Sequence, residues 1–376
     1  MAVLLLGPAA GTAGSARVAA PGSTDLTSVG VSSTATSVAP ALEEGGFIVD
    51  CGYSHANNFD PILRPGVLTP GHLHHYFGNP DTDAFSTPES LRESTSSTCL
   101  SKPENKSSYW IPALFDGAGN VLEADRTENY YKDAGVDAVA TMVPFDANHS
   151  MVAGTAGLKA GDPLQSKNII EWACTIEGDT GEQDNKGAST INKALNKVAV
   201  GATTCPDEDV VGGFDGVLGL LITFPNCWDG NTAFPWNNGS GGSTTNEHMR
   251  YPWQKANGRT QTKADTSPLL PQDECPRGYK TLVPELAIGV HWPVADITMR
   301  NGYVASDESG MEMEMGLADN GATAHADFMN GWDQDLLRGL VDECIIDKQK
   351  CEEDEYPECW PSACRAPLVE AVARRE

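Results

Sequence analysis

The sequence predicts a mainly β protein, an antiparallel sandwich or jelly-roll-like single domain with long loops and a few short helices. Three observations point there. Short apolar runs alternate with turn clusters through most of the chain, glycine (38) and proline (24) together make about a sixth of the 376 residues, and long stretches with a helical apolar period are scarce.

Residues 1–45 read as a signal-like leader and a flexible Ser/Thr/Ala/Gly linker, because an apolar run from Ala2 to Leu6 is followed by small polar residues without period. No basic residue precedes that run beyond the amino terminus itself. The globular domain is expected over 46–347. Phe47 to Val49, Ala138 to Val143, Ile169 to Ile176, Val217 to Phe224 and Leu282 to Val290 have the length and composition of strands. Met311 to Met315 alternates methionine with glutamate, as a strand with one wet face would.

Two helices are expected. Ser86-Thr87-Pro88-Glu89 fits a capping box with proline in the first turn, opening a short helix through Leu91. From Trp332 to Ile346 the spacing of Leu336, Leu337, Leu340, Val341 and Cys344 gives a helix one apolar stripe. Residues 348–376 form a cysteine-rich extension too short to fold alone, and a bridge from the main domain, with Cys344 a candidate, would tie it down. The segment 231–258 reads as a long surface loop.

Composition excludes several classes. A net charge of -27 repels nucleic acid, and no run approaches the roughly twenty apolar residues of a membrane-spanning helix. The ten cysteines lack paired C-x-x-C spacing, so disulfides in an oxidising, secreted or cell-wall setting are expected rather than zinc knuckles. No phosphate loop, H-E-x-x-H helix or G-x-S-x-G elbow occurs. Asn105, Asn148 and Asn238 each open a glycosylation tripeptide.

Chemistry concentrates in histidines. His72 and His74, two apart, would point the same way from an extended segment, offering two imidazoles to one metal or substrate. His325 and Asp327 repeat that spacing, and a carboxylate beside an imidazole orients it or shares its metal. His248 and Asp229 lie in two further polar segments. The bland alternative is that each imidazole is a structural residue bonded to backbone carbonyls.

Several motifs occur in order: Phe47 to His55, Asp60-Pro61-Ile62, Pro65-Gly66, His72 to Asn79, Phe85-Ser86-Thr87, Ser97-Thr98-Cys99, Tyr109 to Pro112, Phe224 to Gly230, His248 to Pro252, Cys275-Pro276 and His325 to Trp332. Together they resemble the DUF1996 family from about Gly46 to Ile346. His75 stands where that family often has an acidic residue, and the region of His291 to Pro293 departs from its pattern. The resemblance implies a secreted domain, in fungi often joined to WSC modules thought to bind carbohydrate, and so suggests a polysaccharide or glycan partner.

The expectation is therefore one polar cleft built from distant segments. His74, His248, His325, Asp327 and Asp229 are its candidate catalytic groups, by metal-assisted or acid and base chemistry. Asp60, His72, Asn79, Tyr76, Trp110, Tyr251, Asn330 and Trp332 are candidate substrate-binding residues, the aromatic ones through apolar ring faces. His72, His74 and His325 are candidate ligands of a divalent metal. The alternative is a non-catalytic carbohydrate-binding or cell-surface module, and a third reading makes the polar residues internal scaffolding.

Overall fold

The computed structural model describes residues 45–68, 71–115, 120–133, 141–155, 165–166, 168–175, 188, 190–191, 193–194, 205, 217–233, 247–254, 275–293, 315–316, 321, 323–349 and 351. The leader, residues 138–140, Met311 to Glu314, most of the 231–258 loop and the extension beyond Cys351 lie outside them.

Among the described residues, fifteen strands occur in chain order: β1 Gly46–Asn57, β2 His74–Gly78, β3 Ser108–Pro112, β4 Leu114–Phe115, β5 Val121–Leu122, β6 Arg126–Lys132, β7 Ser150–Gly154, β8 Ile170–Thr175, β9 Val217–Thr223, β10 Cys227–Trp228, β11 Met249–Arg250, β12 Thr281–Leu282, β13 Glu285–Pro293, β14 Met315–Gly316 and β15 His325–Met329. Nine form one antiparallel sheet in the order β7-β15-β3-β2-β1-β6-β13-β9-β8. Two three-stranded sheets, β11-β10-β12 and β14-β4-β5, complete the mainly β, sandwich-like fold. The apolar run 282–290 divides into β12 and β13, with Pro284 between them. Thr141 to Val143 is not a strand.

The large sheet has two unlike faces, set by side-chain alternation. One carries Phe47, Val49 and Cys51 of β1 with Thr127, Asn129 and Tyr131 of β6, paired across the strands. It packs on Cys227, Trp228, Met249 and Leu282 of the β10 sheet and on Leu337, Val341 and Ile345, making the main core. Phe47 stacks on Tyr131 at 4.8 Å, and Trp332 meets both rings edge-on. A polar chain crosses this core: Trp332 Nε1 donates to the Tyr131 hydroxyl at 3.0 Å, which lies 2.6 Å from the Tyr109 hydroxyl, to which Asn105 donates at 2.8 Å. Asn105 is buried in that chain, so its tripeptide offers no acceptor for a glycan in the folded protein.

The opposite face, over β2, β3, β15 and β7, is covered by a second cluster of Ile62, Tyr76, Leu91, Trp110, Val152 and Met329. Leu91 comes from α1 (Pro88–Glu93), whose N-cap is Thr87 and whose capping box is closed by Ser90. The box thus sits one residue later than Ser86 to Glu89 suggests, since the Thr87 side chain accepts from the Ser90 amide. The second helix, α2 (Gln334–Leu340), is capped by Asp333 and continues as a π-helical turn over Val341–Ile346.

Among the described residues, four disulfides join Cys51 to Cys99, Cys174 to Cys205, Cys227 to Cys275 and Cys344 to Cys351. The last joins Cys344, the candidate for such a bridge, to Cys351, while Cys359 and Cys364 lie outside the described residues. A 48-residue closure such as Cys51 to Cys99 removes about 4 kcal/mol of unfolded-chain entropy. No described helix is long and apolar enough to cross a membrane.

Gly78 ends β2 with φ +88°, and a Cβ there would collide with the carbonyl oxygen of Ser107, the residue before β3. Both the left-handed backbone and the backbone neighbour forbid a side chain. Gly78→Ala is therefore expected to destabilise by at least about 2 kcal/mol, read as a lower urea midpoint at unchanged slope.

Candidate functional site

The second face positions three imidazoles. His74 opens β2, His325 opens β15, and His72 precedes β2 by two residues, so that all three gather beneath the segment carrying Asp60 and Ile62. Register places the chemistry: Tyr76 pairs with Trp110, and Trp110 pairs with Asp327, so His74, Tyr76, Trp110, His325 and Asp327 share one face.

The ring centroids of His72 and His74 are 4.1 Å apart, those of His72 and His325 5.0 Å, and those of His74 and His325 6.0 Å. His72 Nε2 lies 3.1 Å from His325 Nε2. One ligand atom from each of the three histidines lies within 4.8 Å of the others. Two nitrogens on a tetrahedral zinc would be about 3.3 Å apart.

The tautomers are set by carbonyls. His325 Nδ1 donates to Thr323 O at 2.9 Å and His74 Nδ1 donates to Phe59 O at 3.2 Å, leaving the lone pair of each ring on Nε2. His74 Nε2 is buried and has no partner. Tyr76 donates its hydroxyl to the same Phe59 carbonyl at 2.5 Å.

Two carboxylates adjoin the imidazoles. Asp60, His74 and Asp327 again offer ligand atoms within 4.8 Å of one another. Asp60 accepts from the amides of Ile62 (3.0 Å) and Leu63 (2.8 Å). Both oxygens of Asp327 are buried without a partner. That is a costly arrangement for an isolated carboxylate, and one that a cation relieves.

Electrostatics follow from burial. Desolvation, and then the neighbouring imidazoles, hold His74 well below its usual pKa; desolvation, His325 and Arg64 do so for His72; desolvation brings His325 down to about 4. All three are neutral at pH 7, the form that binds a metal. Desolvation pushes Asp60 up to about 6 against its amide bonds and Arg64, and desolvation with the Asp60 charge pushes Asp327 well above the usual range.

The expected single cleft is not what forms. His72, His74, His325, Asp60 and Asp327 do converge, but within the interior: His325 and Asp327 are fully buried, His74 is 1% exposed, and Asp60 (5%) and His72 (4%) are little more so. Tyr76 and Trp110 stack at 5.4 Å inside the same cluster, so they offer no open ring face.

His248 lies apart. It packs on His149 at 5.4 Å, which in turn meets Trp228 and Phe145 of the main core. Register puts Ser150 on the face of Met329 and Asp327, so the preceding His149 turns toward the other side of the sheet. His248 Nε2 donates to Ser150 O at 3.0 Å. Nothing in the spacing singled out His149, which entered only through a glycosylation tripeptide.

The remaining candidates are held by structural bonds. Asp229 caps its own turn, accepting from the amides of Asn231 and Thr232, both at 2.8 Å. Asn79 donates to Leu91 O and Lys106 O, and Asn330 donates to Asp146 O while accepting from the Trp332 amide. Tyr251 donates to Thr223 O and stacks on Trp253 at 4.5 Å. Trp332 belongs to the main core.

No curated protein and no solved structure matches the chain. One family model does, described as a domain of unknown function, and it spans residues 60–332, from the first carboxylate of the buried cluster to the tryptophan that follows its last. With most of its length inside that match, and with the ordered motifs carried by both halves of it, the chain belongs to the DUF1996 family.

Proposed function

We propose that this protein is a secreted, metal-dependent enzyme that acts on extracellular or cell-wall polysaccharide, with His72, His74 and His325 as the metal ligands. The observation that carries the reading is the convergence of three neutral imidazoles, from two strands and a loop, with the Nε2 lone pairs of two of them fixed by carbonyls. Three histidine nitrogens suit zinc, copper, iron or nickel rather than calcium or magnesium.

A bound divalent ion would polarise an oxygen of substrate or water. Asp327 and Asp60 stand beside His74 as groups to take and return a proton, a role worth about 10²- to 10⁴-fold in rate. Entry would be from the side of His72 and Asp60, the two groups with the most residual exposure. Four disulfides support an oxidising, extracellular setting.

Near-complete burial favours a second reading, in which the metal is held without turnover in a wall-associated binding module. Elemental analysis of the purified protein separates these. One equivalent of a transition metal is expected, lost in His74→Ala and His325→Ala. The loaded protein, offered a panel of wall glycans, is expected to release new chain ends. Metal without product supports the binding module, whereas absence of metal affinity in the folded protein removes the metal centre and leaves scaffolding.

A further inference from the structure

The face that buries the imidazoles at one end of the large sheet is open at the other. Glu128, Tyr130 and Lys132 of β6, Gly289 and His291 of β13, Gly219 and Leu221 of β9, and Glu171 and Ala173 of β8 share that face by register. Continuity runs through β1, where Ile48 pairs with Tyr130 and, beyond the irregularity after Tyr53, His55 stacks on Tyr76 at 4.7 Å. The side chains missing at Gly289 and Gly219 leave a groove of about 340 Å³, walled by Tyr130, Lys132, Glu171 and His291. Its size is at the lower end for small-molecule sites.

The groove is organised. Glu128 accepts from Arg126 Nη2 at 2.6 Å and from the Tyr130 hydroxyl at 2.5 Å, and His291 Nε2 stands 3.6 Å away. That network fixes the Tyr130 ring and the His291 imidazole, so the two walls do not have to be ordered when a ligand arrives. Lys132, which stands 3.8 Å from Glu285, and Glu171 are half-buried at the rim, one a donor and the other an acceptor.

We infer that this groove binds a neutral hexose unit of a polysaccharide. A hydroxyl both donates and accepts, and so matches a wall carrying ammonium and carboxylate together. The glycine floor lets a flat pyranose ring lie against strand backbone beside the face of Tyr130. An anionic ligand meets Glu171 and a chain of net charge -27, while a simple cation meets Lys132. The site shares its substrate class with the proposed function and nothing else, since β1 separates its nearest strand, β6, from β2 and His74, and it needs no metal.

Affinity electrophoresis of the full chain through gels containing soluble β-1,3-glucan, mannan or galactan, with polygalacturonate as the anionic control, tests this. Retardation is expected in at least one neutral glycan and not in polygalacturonate. A Cβ at Gly289 would meet Tyr130, Glu128 and His291 at 3.4 to 3.6 Å, ordinary contact, so Gly289→Val fills the groove within a strand that tolerates it. Gly289→Val and the rim variant Glu171→Gln are each expected to weaken binding at least 10-fold, with chelated protein and His74→Ala still binding. Equal retardation in polygalacturonate, no retardation in any neutral glycan, or wild-type binding by both groove variants would overturn the inference. Loss on chelation alone would move glycan binding to the imidazole site.

Discussion

Metal-free protein is expected to lose several kcal/mol of stability when the pH falls from 7 to 5. Every one of its eight histidines has a folded pKa below the ordinary 6.5, with burial the leading cause each time. An unfolded imidazole takes up its proton near pH 6.5, whereas His75, His248 and His325 resist to about 4. Between those values the unfolded chain binds more protons, so stability is full above about pH 6.5 and drains as the pH falls toward 4. Each such imidazole contributes roughly 2 kcal/mol to the loss between pH 7 and pH 5. Asp60 and Asp327 act in the opposite sense. Their folded pKa values are raised, so their cost grows as pH rises above 3.8, and part of it returns on acidification. The imidazoles outnumber the carboxylates, and the net sign is loss. Urea titration in chelator at pH 7, 6 and 5, followed by tryptophan fluorescence, reads it as a falling midpoint. A midpoint that does not move would mean that the rings are charged or wet in the folded protein.

The same burial explains what the sequence made legible. His72, His74, His325 and Asp327 were readable because a strand presents alternate residues to one side, so two-residue spacing translates directly into shared direction. Asp60 and Tyr76 were readable only through ordered motifs. The carbonyls of Phe59 and Thr323, which choose the tautomers, leave no trace in side-chain identity. Parity also explains the failure at His248. Its partner His149 precedes β7 by one residue, and one residue is the difference between the two faces of a sheet. Spacing within a segment is local information, while the face that a segment turns toward the sheet depends on the register with strands far away in the chain. Burial was the other blind spot, since polar motifs read as a wet cleft until the cover supplied by Ile62, Leu91 and Trp110 is seen.

Replacing Asp327 by asparagine is expected to stabilise the metal-free protein while weakening its grip on metal, a combination that few buried substitutions give. At pH 7 an unfolded Asp327 is ionised in water. In the folded, metal-free protein it has two choices: to keep a buried charge with neither oxygen partnered, or to hold a proton it would otherwise have lost, and the neighbouring Asp60 worsens the first. Both choices cost free energy that the neutral amide does not. A gain of about 1–3 kcal/mol at pH 7 is expected, shrinking to nothing near pH 3, where the unfolded carboxyl is protonated as well. A divalent ion on His72, His74 and His325 reverses the balance, because the cation restores the ionised carboxylate at its edge. Removing that charge is expected to lower metal affinity 10- to 100-fold. Chemical denaturation of the metal-free forms and competition with a chromophoric chelator measure the two effects separately. An Asp327→Asn protein that is less stable than wild type at pH 7, yet binds metal equally well, would make the carboxylate a hydrogen-bonded part of the scaffold and take it out of the metal's surroundings.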